Sequence, residues 1–249
     1  MHRFLVPTEL LSCDSPRLPH AAERHLKVLR PQPREVVELF DGHGRARRYS
    51  WSPNGLSPAG EPAVFPPPTR RITLFACVTK GSRWDWTIEK SVELGVNRIV
   101  PVISDRAIVR LPKAERSAKA ERWRRIAEDA ARQSDAVWLP EILEAVDFPE
   151  ALALARESGR VFVGALVSPP APPILKAVSE TLAAAKSDLA AFIGPEGDFT
   201  PAELAAILEF ATPVSLGPTI LRAETAAIFA VSVLAAYVAS PPPTLHTGM

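Results

Sequence analysis

Apolar and polar positions follow two different rhythms along the 249-residue chain. Up to about residue 70 they form short β-rich runs broken by turns. Val36-Val37-Glu38-Leu39-Phe40 reads as a strand, and Asp41-Gly42-His43-Gly44 closes it with a strong turn signal. Arg45 to Trp51 reads as the partner strand. Ahead of them, His20–Leu29 has helical spacing and stops before Pro31. Several short strands in so small a unit predict a compact β-barrel. Residues 53–70 are rich in Pro and Gly, including Pro66-Pro67-Pro68. Such a stretch continues neither a helix nor a central strand, so it is expected to be a linker or long surface loop. Residues 61–65 remain open as a last barrel strand. A domain boundary is expected near residues 66–72.

From Arg71 the rhythm changes to strand and helix in turn. Strands are expected at residues 72–78, 96–103, 160–167, 189–193 and 213–216. Helices are expected at 84–94, 113–134, 174–185, 201–210 and 223–239. Gly95 suits the end of the first, and Thr200 with Pro201 the start of the fourth. In the second helix Trp123, Ile126, Ala127, Ala130 and Ala131 form an apolar stripe. A stiff turn is expected at 168–173. Strands alternating with crossover helices predict an α/β fold: a parallel sheet with helices on both faces. Residues 241–249 are expected to be a disordered tail.

Composition adds one asymmetry. Residues 1–140 hold 24 Lys and Arg against 16 Asp and Glu, whereas residues 141–249 hold 5 against 12. A basic front half suits a polyanion such as RNA, whose phosphates release counterions to Lys and Arg. An unevenly charged, solvated surface is the plainer alternative. No apolar run reaches the roughly 18 residues of a membrane span, and nothing at the N-terminus reads as a signal peptide. Cys13 and Cys77 follow no metal spacing, so a reducing cytoplasm is the expectation and no metal site is expected.

Several chemistries lack their motifs. There is no G-x-G-x-x-G after a strand and no phosphate-binding G-x-x-x-x-G-K-[ST]. There is no H-E-x-x-H and no G-x-S-x-G. The five histidines, His2, His20, His25, His43 and His246, all lie outside the middle of the α/β unit. Two glycine-bearing loops stand out instead. Gly194-Pro195-Glu196-Gly197 directly follows a strand, and Leu216-Gly217 opens the segment that runs to Thr225. Ligands of open α/β sheets bind beyond the carboxyl ends of strands, where glycine lets backbone come close. Either loop alone reads equally well as an ordinary turn. Arg222 is the only Lys or Arg after Lys186. It is a candidate to meet a phosphate or a developing negative charge, against the plainer reading of a structural ion pair.

Together these segments resemble the family of small-subunit (16S) ribosomal RNA methyltransferases that methylate a uridine at N3, within the SPOUT superfamily of knotted methyltransferases. The resemblance begins at His2-Arg3-Phe4 and His25 to Arg30, and runs through Phe40-Asp41-Gly42 and Lys80-Gly81. It continues at Lys90 to Val96, Ile99-Val100-Pro101, Ser104-Asp105-Arg106, Arg122 to Ile126 and Ala131 to Ser134. The loops Gly194-Pro195-Glu196-Gly197 and Leu216 to Thr225 complete it, so it spans about residues 1–239.

The resemblance implies a PUA-like RNA-binding β-barrel at 1–70 and a trefoil-knotted methyltransferase domain at 71–240. It implies S-adenosylmethionine as cofactor, a homodimer, and the assembled small ribosomal subunit as substrate (uridine 1498 in conventional numbering). Cofactor-binding residues are then expected at Leu166, Ile193, Gly194, Pro195, Gly197, Leu216, Gly217, Ile220, Leu221, Glu224 and Thr225. Arg222 is expected to stabilise the anionic uracil. Glu196 is expected to organise its loop or accept a proton, a role that Glu224 shares as a candidate. Arg3, Arg24, Lys27, Arg30, Lys80, Lys90 and Arg106 are candidates to hold RNA phosphates.

The chain departs from the family pattern in three places. Asp198 stands where the family has a second glycine, Asp105 replaces a glutamate, and residues 163–166 lack an acidic residue often found there. Two other readings stay open: the same fold acting on another RNA or base atom, and a non-enzymatic RNA-binding or ribosome-assembly protein.

Overall fold

The computed structural model describes residues 1–182 and 187–239. The expected helix end at 183–185 and the tail at 241–249 lie outside the described residues. The chain opens with β1 (His2–Leu5), a 3-10 turn at Thr8–Ser12, and α1 (His20–Leu29). β2 (Val36–Phe40), β3 (Arg45–Ser52), β4 (Gly55–Pro58) and β5 (Ala63–Val64) follow. β1 pairs in parallel with β2, while β2, β3 and β4 are antiparallel neighbours and β5 pairs with β3. Phe4, Val37, Leu39 and Tyr49 point to one side of this mixed sheet and pack with Leu11 and Leu26.

The structure corrects the reading of 53–70 as plain linker. Pro53 and Asn54 make a hairpin turn in which the Asn54 N–H donates to the Ser52 hydroxyl, and Gly55 leaves it at φ +123°. Pro58 is tolerated because β4 lies at the end of the pairing path, where a missing N–H costs no ladder bond.

The larger unit holds β6 (Ile72–Cys77), α2 (Ser82–Glu93), β7 (Arg98–Ile103), α3 (Lys113–Gln133), β8 (Glu141–Ile142) and β9 (Val146–Asp147). Next come α4 (Phe148–Arg156), β10 (Arg160–Gly164), α5 (Ile174–Leu182), β11 (Leu189–Ile193), α6 (Pro201–Leu208), β12 (Thr212–Val214) and α7 (Ala223–Ala239). Its strands run in the order β12-β10-β11-β6-β7-β8, with β9 also beside β7, and every pair is parallel. Every residue of β6 is buried, as a strand covered on both faces requires. Ile72, Leu74 and Ala76 face one core with α2, α3, α5 and α7. Phe75 and Cys77 face the other, with α4 and α6. Phe75 stacks on Phe192 at 5.3 Å. Burying such a ring stabilises the fold by about 2–3 kcal/mol.

Segment 141–156 carried no expectation, yet it forms β8, β9 and α4. Two-residue strands show no period, and α4 starts on Phe148-Pro149, so its first turn looks like a loop in sequence. Elsewhere the strands are shorter than expected. β10 stops at Gly164 and β12 at Val214, and the residues beyond them turn into site loops.

The two units meet at the turn Asp41-Gly42-His43-Gly44. The Gly44 N–H donates to the Val137 carbonyl, and the Leu139 N–H to the Gly42 carbonyl, both at 2.9 Å. Gly42 and Gly44 have φ of +74° and +85°, and a Cβ on either would collide with Leu139 or Trp138. Arg3 reinforces the junction. Its guanidinium lies over Phe40 and donates to Glu38 and to the carbonyls of Ala131 and Ala136 at 2.9 and 3.1 Å. This overturns Arg3 as a phosphate contact, because its side chain is only 1% exposed. Among the described residues, no helix is long and apolar enough to cross a membrane.

Candidate active site

β12, β10 and β11 lie side by side and parallel, so the segments leaving their carboxyl ends converge. Three loops, at 165–173, 194–200 and 215–222, emerge there. Two of them, 165–173 and 215–222, are stitched to each other by backbone. The Ala165 N–H donates to the Val214 carbonyl at 3.4 Å, and the Ser215 N–H to the Pro172 carbonyl at 2.8 Å. The Ile174 N–H returns a bond to the Ser215 carbonyl. Between the loops and the first turns of α7 lies an open pocket.

Each loop has a local reason for its shape. Gly164 ends β10 where a Cβ would stand 2.9 Å from a Leu216 methyl. Gly217 has φ +135°, a conformation side chains rarely adopt, and the Ser215 hydroxyl donates across it to its carbonyl. In the middle loop the Asp198 N–H closes a turn on the Pro195 carbonyl at 2.9 Å. Asp198 itself has φ +59°, which explains the glycine that the resemblance expects there. Aspartate is one of the few other residues at ease in that region. Its Oδ1 accepts the Phe199 N–H at 2.8 Å, so the substitution keeps the turn rather than breaking it.

The middle loop is also held from below. Thr200 and Glu203 form a reciprocal cap at the start of α6, and the second Glu203 oxygen accepts the Asp105 N–H at 2.9 Å. Arg106 donates to the carbonyls of Gly197 and Phe199.

Of the expected cofactor residues, Leu166, Ile193, Gly194, Pro195, Leu216, Gly217, Ile220 and Leu221 all line the pocket, and so does Glu196. Gly197, Glu224 and Thr225 are not among the lining residues. Gly197 forms the outer edge of its turn, and Thr225 lies exposed on α7. Arg222 stands exposed between two lining residues, Leu221 and Ala223, and makes no ion pair among the described residues. Gly164, Ala165, Ser215 and Thr219 line the pocket as well, unforeseen from sequence, and so does Asp198, the departure noted in the middle loop.

The chief omission is Arg83, on the first turn of α2. It pairs with Glu196 and lies 3.8 Å from Glu224, so it ties the middle loop to the start of α7. Glu224 is buried, and its other oxygen has no hydrogen-bond partner.

The phosphate candidates divide. Arg24, Lys27 and Arg30 are exposed on or beside α1, and Lys80 is exposed just before α2. Lys90 is held between Glu89 and Glu93, whose hydrogen bonds raise its pKa. Arg106 is engaged in loop support, as described. Cys77 offers no thiolate, since burial pushes its pKa up to about 12.

The pocket has the marks of a site for a large, partly apolar ligand. Leu166 and Ile220 are 72% and 83% exposed at its mouth, where water now covers them. Ile193, Leu216 and Leu221 make an apolar wall suited to a nucleobase, and the carboxylate of Glu196 at the lining suits a donor. These features fit S-adenosylmethionine, which joins an adenine to polar donors.

Residues 66–235 match the family described as RNA methyltransferase domain. A ribosomal RNA small subunit methyltransferase E of Bacillus subtilis is 31% identical over 66% of this chain, and the match spans 65% of that relative's length. Its counterpart in Mycobacterium bovis is 31% identical over 82% of this chain and 79% of its own. A crystal structure of the Neisseria gonorrhoeae ribosomal RNA small subunit methyltransferase E, bound to S-adenosyl methionine, superposes with a TM-score of 0.79. That match has 29% identity and covers 95% of this chain and 98% of the other.

Proposed function

Because this chain belongs to the ribosomal RNA small subunit methyltransferase E family, we propose that it methylates N3 of a uridine in 16S ribosomal RNA from S-adenosylmethionine. The observation that carries the reading is the pocket at the carboxyl ends of three adjacent parallel strands, with exposed apolar side chains at its mouth and unpaired Arg222 on its rim.

The cofactor supplies an electrophilic methyl group on a sulfonium. Ile193, Leu216, Ile220 and Leu221 would hold its adenine, and the backbone around Gly194 and Gly217 would approach its polar groups. N3 of uracil carries a weakly acidic proton, and its loss leaves negative charge on the ring oxygens. Arg222 would stabilise that charge, a role worth on the order of 3 kcal/mol when performed by one fixed donor. Glu196, held by Arg83, would fix the middle loop, and either Glu196 or Glu224 would take the proton. Alignment of the uridine supplies much of the remaining acceleration.

The reading extends to the whole chain. Residues 1–70 act as a PUA-like RNA-binding barrel, with Arg24, Lys27, Arg30 and Lys80 on phosphates. Residues 71–240 form the knotted methyltransferase domain. The chain works as a cytoplasmic homodimer on the assembled small subunit. The loops around the pocket support the methyltransferase assignment of the larger unit, and the exposed basic residues of α1 support the RNA-binding assignment of the smaller one.

Small subunits from cells lacking the gene should gain 3-methyluridine in the decoding region when incubated with the protein and S-adenosylmethionine. Nucleoside mass spectrometry reads this directly. Subunits that bind the protein yet gain no methyl group would turn the assignment toward an RNA-binding or assembly role.

A further inference from the structure

A second pocket, of about 400 Å³, lies at the carboxyl ends of β6 and β7, between the start of α2 and the middle of α3. It shares no lining residue with the first pocket. Its lining is rich in donors. Lys80 and Lys119 are exposed and make no ion pair among the described residues. The acidic residue, Asp85, is already taken by a two-pronged bond from Arg122 at 2.5 and 2.6 Å. The N-terminus of the twelve-residue α2 opens here at Gly81-Ser82, and no side chain caps it. Its free N–H groups and dipole favour an anion.

Two buried groups give the independent sign of a ligand. Thr79 is 8% exposed and Trp84 2% exposed, and both line this pocket. The Thr79 hydroxyl and the Trp84 indole N–H have no hydrogen-bond partner. Native proteins seldom leave buried donors unmatched. Lysine ammonium, indole N–H, threonine hydroxyl and backbone N–H together call for a ligand that is anionic and accepts without donating. A phosphodiester has that chemistry.

We propose that this pocket binds a backbone phosphate of the substrate RNA next to the nucleotide that is methylated. The arrangement of α2 sets that neighbourhood. Ser82 lines the phosphate pocket, while Arg83, the next residue, reaches Glu196 and Glu224 at the first pocket. One helical turn therefore borders both. The proposal rests on methyl transfer to RNA, and the test separates the two ideas.

The dinucleotide UpU would be titrated into protein labelled with ¹⁵N at tryptophan, and the Trp84 indole resonance followed. A saturable shift is expected in the native chain, with loss of the shift in Lys80→Gln/Lys119→Gln. Trp84→Phe keeps a ring and removes the donor, so a raised KM for small subunits in that variant tests the indole contact should the double variant fold poorly, and an unchanged KM would overturn it. In methylation assays the double variant should raise KM for small subunits roughly tenfold while kcat stays within about twofold, and reduce the slope of log affinity against log salt by about one. Unchanged KM, salt slope and indole shift in a variant that methylates normally would overturn the phosphate pocket and leave the methyltransferase reading standing. UpU binding at Trp84 in a protein that methylates no ribosomal RNA would do the reverse.

Discussion

Arg222 and Arg83 stand beside the same pocket in opposite states, the first exposed and the second paired with Glu196 and Glu224. Arg222 makes no ion pair among the described residues, so its removal breaks none there. Arg222→Ala is expected to lower kcat about 10²–10³-fold while S-adenosylmethionine affinity, read by calorimetry, stays within a few-fold. A large loss of cofactor affinity instead would make Arg222 a cofactor ligand. Arg83→Ala releases both Glu196 and Glu224 and should weaken cofactor binding as well as turnover, because it loosens two loops at once. Arg222 was legible in sequence because it stands alone in an acidic, apolar region. Arg83 was not, since its partner Glu196 lies 113 positions away and only folding brings them together. Asp198 shows the same limit in reverse. In sequence it is only a departure from the family's glycine, and its fit becomes visible with the backbone at φ +59° and the side chain bonded to the next N–H. Asp198→Ala keeps the strain and loses that bond, so a loss of about 1 kcal/mol is expected in urea denaturation.

At the scale of elements, long periodic segments announced themselves and short ones did not. α3 shows a clear apolar stripe, and β6 is a continuous apolar run, so both were readable. β4, β5, β8 and β9 have two to four residues each, too few for a period, and tertiary pairing alone creates them. The cap of α6 was read correctly from Thr200. Thr200→Ala should cost about 1 kcal/mol in thermal melts, and the loss should also reach the middle loop, since Glu203 ties Asp105 to the same cap. Asp147, ahead of α4, accepts a bond from Arg116, which holds its carboxyl below the ordinary range, with Lys113 adding attraction. A depressed carboxylate stabilises the fold above its unfolded pKa, and that contribution fades as pH falls through the folded value. The melting temperature should therefore drop on acidification below about pH 4, and Asp147→Asn should flatten the drop. An equally steep fall in that variant would exclude the ion pair as its source.

Across the whole molecule, the junction at Gly42, Gly44 and Arg3 decides how the two units cooperate. The Asp41-Gly42-His43-Gly44 turn is legible in the sequence, but what it touches is not. Arg3 stands among the RNA-phosphate candidates that accompany the family resemblance, and only the fold shows it buried at the junction. Removing Arg3 leaves two carbonyls without their donor and takes from Glu38 its shorter ion pair, with Arg48 remaining at 3.5 Å. Arg3→Ala is expected to cost about 3–5 kcal/mol, seen as a lowered melting temperature, whereas Arg24→Ala should leave it unchanged. Because the junction is knit by backbone bonds and a buried guanidinium, the basic face of α1 stands at a set distance from the methyl-transfer pocket. If α1 holds RNA phosphates as proposed, the two units act as a pair of callipers: an RNA then qualifies only if its backbone and its target base are separated by the span between the jaws, whatever the sequence in between.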